Sequence, residues 1–130
     1  MIVDASAILA MLLKEPEVLA FADHIGGCAE EAVISPVNYL EIALRIDRGE
    51  TPELSAALDP LLASLEMRIA AITPEQAYLA REAYQRFGKG NHPARLNQGD
   101  CFAYALAKSR GEALLFKGDD FRQTDVEAAF

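Results

Sequence analysis

The run from Cys101 to Ala107, Cys-Phe-Ala-Tyr-Ala-Leu-Ala, constrains the fold more than any other part of the chain. Within LNQGDCFAYALAKSRG, residues 96–111, it reads as a helix that is apolar on nearly every face and therefore buried. Such a helix needs a core around it. The sequence has 130 residues, enough for one domain with a real core and not for two, so residues 1–130 are expected to form a single domain. Yet the helix opens on a carboxylate, Asp100, directly after Gly99. Aspartate is favoured at helix starts, both as a cap and against the macrodipole. The alternative is that this carboxylate holds something.

Strands and helices alternate along the rest of the chain. MIVD reads as a short buried strand, and SAILAMLLK as a helix capped by Ser6. EPEVLAFADHIGG is a second helix, with Pro16 at its start and Gly26-Gly27 at its stop. AVIS is a second strand. Ser35-Pro36 opens a helix that runs to Asp47 or Arg48. Thr51-Pro52 opens another, which Asp59-Pro60 is expected to break and restart. MRIAAI is a third strand. Thr73-Pro-Glu-Gln76 is a capping box that starts a helix ended by Gly88. KGNHPARLNQ is a loop, the apolar helix follows, Gly111 stops it, and ALLF is a fourth strand. The alternation predicts an α/β fold: a central, mostly parallel sheet of four or five strands, flanked by helices on both faces.

In open α/β sheets, sites form outside the carboxyl ends of the strands. Asp4 ends the first strand, and Asp119 and Asp120 follow the fourth. Glu41 lies in the second turn of the helix after the second strand, and Asp100 opens the helix leading into the fourth. All can reach one edge of the sheet. Carboxylates crowded there repel one another, and burial raises their pKa values. A divalent cation removes that penalty. Oxygen ligands without His or Cys argue for Mg²⁺ or Mn²⁺ over Zn²⁺. Each acid also has an ordinary reading. Asp4, Asp119 and Asp120 suit turns. Glu41 shares a helical stripe with Asn38, Arg45 and Arg48 that can be a solvated face.

The net charge of −8 excludes nucleic-acid binding by the molecule as a whole, leaving a local basic patch or bound metal as the means. Arg86, Lys89, His92 and Arg95 supply such a patch just before Asp100, as a phosphate guide or simply as a solvated loop. Cys28 and Cys101 lie far apart with no CxxC, which suits a reducing cytosol. The N-terminal segment lacks a basic leader and is too short to span a bilayer, so no membrane association is expected.

MIVDASAILA, VNYLE, AREAYQRFGKGNHPARLNQGDCFAYALA and LLFKGDDFRQTDV, in that order, resemble the PIN-domain ribonucleases, specifically the VapC toxins of bacterial VapBC toxin–antitoxin pairs. The resemblance covers essentially the whole chain and implies a PIN-like fold. It also implies a metal-dependent endoribonuclease that hydrolyses RNA phosphodiester bonds with a metal-activated water. The family's acidic quartet maps onto Asp4, Glu41, Asp100 and an acid of GDDF. Relatives often read GNDF, with Asn in the place of Asp119, which favours Asp120 and keeps Asp119 as the alternative. Asp4, Asp100 and Asp120 are then the expected ligands of Mg²⁺, for which Mn²⁺ can substitute. Glu41 is expected to orient the attacking water or a second metal. Ser6 stands where the family keeps a small hydroxyl or amide residue beside the metal, and Asn38 is a further accessory candidate. Asn91 and Gln98 depart from the commonest family residues there, Arg and Phe. The resemblance further implies an RNA substrate, a cognate VapB antitoxin, a homodimer and a cytoplasmic location.

Three other readings compete. A haloacid-dehalogenase-type phosphatase wants a second Asp two residues after the first, where this chain has Ser6. A receiver-type module wants a Lys after a late strand, and Lys117 directly before GDD is badly placed for it. A PIN fold that only binds would not need the intact quartet.

Overall fold

The computed structural model describes residues 1–130. Its elements are β1 (Ile2–Val3), α1 (Ala5–Leu12), α2 (Val18–Gly27), β2 (Val33–Ile34), α3 (Pro36–Asp47), α4 (Pro52–Ser64), β3 (Arg68–Ile69), α5 (Pro74–Phe87), α6 (Gln98–Arg110) and β4 (Leu114–Leu115), followed by a 3₁₀ turn, Phe121–Gln123. The four strands form one sheet in the order β3-β2-β1-β4, and every pairing is parallel. Ile2 lies opposite both Val33 and Leu114, and Val3 opposite Leu115.

Successive residues of a strand face opposite sides of the sheet, and this alternation divides the core. Val3, Ile34 and Leu115 pack with the residues of α1 to α4, including Ile8, Phe21, Ile42 and Leu58. Ile2, Val33 and Leu114 pack with α5 and α6, including Ala83, Phe87, Tyr104 and Leu106. The expected α/β fold with a parallel sheet covered on both faces is what the chain adopts. The apolar helix is α6, and Cys101 and Ala103–Ala107 are all buried. Gly111 closes it in the left-handed conformation, φ 64°, which glycine adopts without a Cβ clash.

Several local expectations are corrected. The cap of α1 is Asp4, not Ser6: Asp4 accepts from the Ser6 amide at 3.0 Å, and the Ser6 hydroxyl donates to the same oxygen. Helix α2 starts at Val18, two residues after Pro16. Helix α4 runs through Pro60 without a break. Asp59, read as a restart cap, instead accepts from the Tyr39 hydroxyl of α3 at 2.7 Å. The capping box at Thr73 is half made: Thr73 accepts from the Gln76 amide, but the Gln76 side chain donates to the Ala71 carbonyl. The third strand is short and its side chains are exposed. A fifth strand is reduced to a single parallel bridge from Ala128 to Leu114 at the β4 edge. No helix is long and apolar enough to cross a membrane.

Candidate active site

Asp4 is placed by the sheet itself. Its amide donates to the Leu115 carbonyl at 2.9 Å, so the residue leaves β1 at its carboxyl end, one step before α1. The side chain is 3% exposed, and its Oδ1 has no hydrogen-bond partner. Burial holds the Asp4 carboxyl above the usual carboxylate range. The Ser6 and Ala5 donors pull the other way, and the charge of Asp120 pushes further up. Ser6 does more than support Asp4, because its Oγ also accepts from the Lys117 amide at 3.0 Å. The hydroxyl therefore links the carboxyl ends of β1 and β4. The Lys117 ammonium is engaged by Glu15 and by Glu17, so it is spent on the α1–α2 turn.

Asp100 has the capping role its sequence context suggests, though not as the N-cap itself. The N-cap of α6 is Asn97, and Asp100 is the third helical residue. The two form a reciprocal capping box: the Asp100 amide donates to Asn97 Oδ1, and the Asn97 amide donates to Asp100 Oδ2, each at 2.9 Å. The sequence NQGD carries that pattern, so Asn97 was findable before the structure. Capping uses one carboxylate oxygen. Burial still pushes Asp100 up to about 7, against the Asn97 hydrogen bond and with help from the charges of Asp4, Glu41 and Asp120.

Glu41 is half-buried on α3 and is raised by burial first and by Asp4 second, with Asn38 and Arg45 opposing. Its stripe is thus no simple solvated face. Asn38 is completely buried and donates from Nδ2 to Gly99 O at 3.0 Å and to Glu41 Oε2 at 3.3 Å. Asp120 is exposed, and its charge reaches both Asp4 and Asp100. Asp119 is exposed too, but its charge is not among those acting on Asp4, Glu41 or Asp100. A groove of about 360 Å³ passes Glu41, lined by Val37, Leu40 and Leu44 on one side and Asn97 and Gly99 on the other.

The basic candidates separate. The Arg86 guanidinium stacks 4.6 Å from the Phe87 ring centroid and lies 3.5 Å from Asp125 and 3.6 Å from Glu82. His92 accepts from the Ala94 amide through Nδ1 and packs edge-on against Phe87. Both are tied to the fold. Lys89 and Arg95 are exposed. Tyr104, buried one turn after Asp100, donates to Asp125 at 2.7 Å.

Four acids from four different segments thus influence one another at the carboxyl edge of a parallel sheet. They do not close into a preformed cage of three ligands. Mg²⁺ does not require one, since it keeps several waters and binds through one or two carboxylates. The orphaned Asp4 oxygen and the oxygen-only donor set fit such an ion.

A PIN-domain family profile matches residues 1–127. The chain belongs to the PIN-domain family. Its relatives within that family are VapC ribonucleases. Ribonuclease VapC28 of Mycobacterium tuberculosis is 46% identical over 130 residues, covering 99% of this chain and 97% of the relative. Ribonuclease VapC30 of the same organism is 43% identical, covering 97% and 95%. Among solved structures, the M. tuberculosis VapC20, a sarcin–ricin loop cleaving toxin, superposes with a TM-score of 0.70 at 19% identity, covering 98% of this PIN domain and 97% of that chain. FitAcB of Neisseria gonorrhoeae gives 0.62 at 17% identity, covering 98% and 96%. These two likenesses concern the fold. The relatives at 40–46% identity place this PIN domain among the VapC-type ribonucleases.

Proposed function

We propose that this VapC-type ribonuclease hydrolyses RNA phosphodiester bonds at the edge formed by Asp4, Glu41, Asp100 and Asp120, as the toxin of a toxin–antitoxin pair. The observation that carries the reading is Asp4: a buried carboxylate with an unpartnered oxygen, surrounded by other acids and by no cation of the protein's own. Asp4, Asp100 and Asp120 would hold a divalent metal, Mg²⁺ or Mn²⁺. When bound, that ion supplies charge neutralisation at the phosphate and Lewis acidity toward water. The chain's own contribution is position. Ser6 fixes the Asp4 carboxylate, and Asn97 fixes that of Asp100. Glu41, close enough for the Asp4 charge to act on it, is a half-buried carboxylate of raised pKa that would orient a water and accept its proton. In-line attack on phosphorus asks mainly for such placement. Asp120 is the fourth acid in this reading, because its charge acts on Asp4 and Asp100. Exposed Lys89 and Arg95 would guide the RNA backbone, with Arg86 and His92 holding their loop.

The toxin role brings a cognate antitoxin. A net charge of −8 suits a basic partner segment laid over this acidic edge. A homodimer and a cytoplasmic location complete the proposal, and the free Cys28 and Cys101 fit a reducing compartment. The test is single-turnover cleavage of RNA with Asp4→Asn as control, in Mg²⁺ and in excess EDTA. Cleavage that survives chelation or the Asn substitution would overturn the assignment. Co-expression with the product of the neighbouring small gene should give a tight complex and relieve toxicity. Light scattering at micromolar concentration checks the dimer.

A further inference from the structure

We infer that Asn38 and Gly99 form a seat for the Glu41 carboxylate, Asn38 being a positioning residue that acts on RNA cleavage only through Glu41. The inference rests on the reading that Glu41 belongs to the active site.

Three contacts define the seat. Asn38 Nδ2 donates to Glu41 Oε2, one turn along α3. The same nitrogen donates to the carbonyl of Gly99, in the first turn of α6, which ties the two helices together at the point where their acids face each other. Gly99 completes the seat by what it lacks. A Cβ built there would lie 2.4 Å from Glu41 Oε2 and 2.9 Å from its Cδ, so the carboxylate rests directly against the glycine backbone. No positive φ requires glycine at this position. Inside a helix, glycine is disfavoured relative to alanine. The residue therefore costs α6 stability, and the space it leaves is filled by Glu41.

Asn38 has a similar profile. It is fully buried, and its Oδ1 finds no donor. Burying an amide with half its capacity unmet is unfavourable, so an apolar residue of the same size would serve a packing role better. The asparagine is explained by what its nitrogen holds.

Gly99→Ala separates position from folding. The clash falls on the mobile end of a glutamate, which swings aside cheaply, while alanine favours the helix. The variant should melt at or above the parent temperature. Its crystal structure without metal should show the Glu41 carboxylate displaced from Asn38. Single-turnover RNA cleavage should fall on the order of 100-fold, the scale of losing one positioned proton acceptor. Asn38→Leu should give a similar loss, with KM for RNA unchanged.

A double-mutant cycle with Glu41→Gln decides the mechanism. If Asn38 and Gly99 act through Glu41, adding either substitution to Glu41→Gln costs little more. If the same proportional loss appears in both backgrounds, or if Gly99→Ala leaves Glu41 in place with full activity, the seat is refuted. Should Asn38→Leu fail to fold, the Gly99→Ala arm carries the test alone. A fully active Glu41→Gln would be a different result, since it removes Glu41 from the site and with it the reading on which the seat depends.

Discussion

Two aspartates meet helix α6, and their surroundings are opposites. Asp125 lies on the surface against the middle of the helix and accepts from the Tyr104 hydroxyl, with Lys108 at 3.2 Å and Arg86 at 3.5 Å. Partial burial works against its charge, but the Tyr104 and Lys108 hydrogen bonds and the Lys108 and Arg86 charges outweigh it and hold the group below the usual range. Asp100, one turn before Tyr104, is more deeply set and has other carboxylates for company. One carboxylate is satisfied by the protein and fastens the C-terminal segment to the core. The other has no cation of the protein among the charges that act on it. A charge that the fold completes stabilises the fold, and a charge that the fold leaves incomplete is available for chemistry.

The contrast breaks most sharply in cleavage. Asp100→Asn retains shape and an oxygen that can accept from the Asn97 amide but removes the charge that a metal needs. Single-turnover cleavage should fall by about 10³-fold or more, about 4 kcal/mol of transition-state stabilisation. Asp4→Asn should behave alike. Asp125→Asn should cleave within a few fold of the parent. If the Asp100 and Asp125 variants lose activity equally, the division between the two aspartates fails.

Metal binding sharpens the same comparison. A ligand that binds only the native state stabilises by about 2.7 kcal/mol at one hundred times its Kd. Mg²⁺ should raise the melting temperature of the parent and of Asp125→Asn by equal amounts, and that of Asp100→Asn by much less. EDTA should reverse the effect. An undiminished Mg²⁺ shift in Asp100→Asn would leave Asp100 as a cap and nothing more.

Fold stability should separate them in the other direction. Asp125→Ala strands the buried Tyr104 hydroxyl and leaves Arg86 and Lys108 with one partner fewer, at a cost of about 1–3 kcal/mol. Denaturant unfolding in metal-free buffer measures it. Asp100→Asn should be near neutral there or slightly stabilising, because its amide oxygen can still accept from the Asn97 amide, and the weaker neutral acceptor is offset by relief of repulsion from Asp4, Glu41 and Asp120.

That division was only partly legible in the sequence. The layers were, because an all-apolar helix and β-branched runs separated by helices allow few arrangements. The acids were also legible, because strand ends can be located without knowing the packing. What could not be read were side chains whose partners are distant in sequence. Asp59-Pro60 looked like a helix restart, since nothing local reveals that Tyr39 takes the Asp59 carboxylate. Pro60 sits inside α4 on its exposed side, where Ala56, four residues earlier, is exposed as well. Ser6 looked like a cap because the stronger acceptor two residues earlier was assigned to the strand. Nothing local marked Gly99, since its close approach to Glu41 bridges 58 residues of chain. Arg86 read as part of the basic patch, since its tie to Asp125 spans 39 residues.

The smallest effect is the pH dependence of stability, and there the two aspartates should differ in sign and window. The folded-state pKa of Asp100 is raised from 3.8 to about 7. The folded state therefore holds this proton more tightly than the unfolded chain does. Asp100 thus favours the fold fully below about pH 4, and that contribution is lost as pH rises through about 7. For Asp125 the folded-state pKa is lowered, so its contribution is present above the unfolded value of 3.8 and is lost as pH falls below it. The windows do not overlap. In metal-free buffer, unfolding free energies should show Asp100→Asn gaining on the parent between pH 4 and 7.5, with no such gain for Asp125→Asn. Below pH 4 the deficit of Asp125→Asn should close. Both changes should be small, since water screens Asp125, whose side chain is 42% exposed, and still reaches Asp100. Saturating Mg²⁺ should erase the Asp100 slope near neutral pH and leave the acid limb of Asp125 untouched, because only one of the two carboxylates would then have acquired the partner it lacked. A slope from Asp100→Asn that Mg²⁺ does not alter would mean that the raised pKa reflects burial without a metal to relieve it.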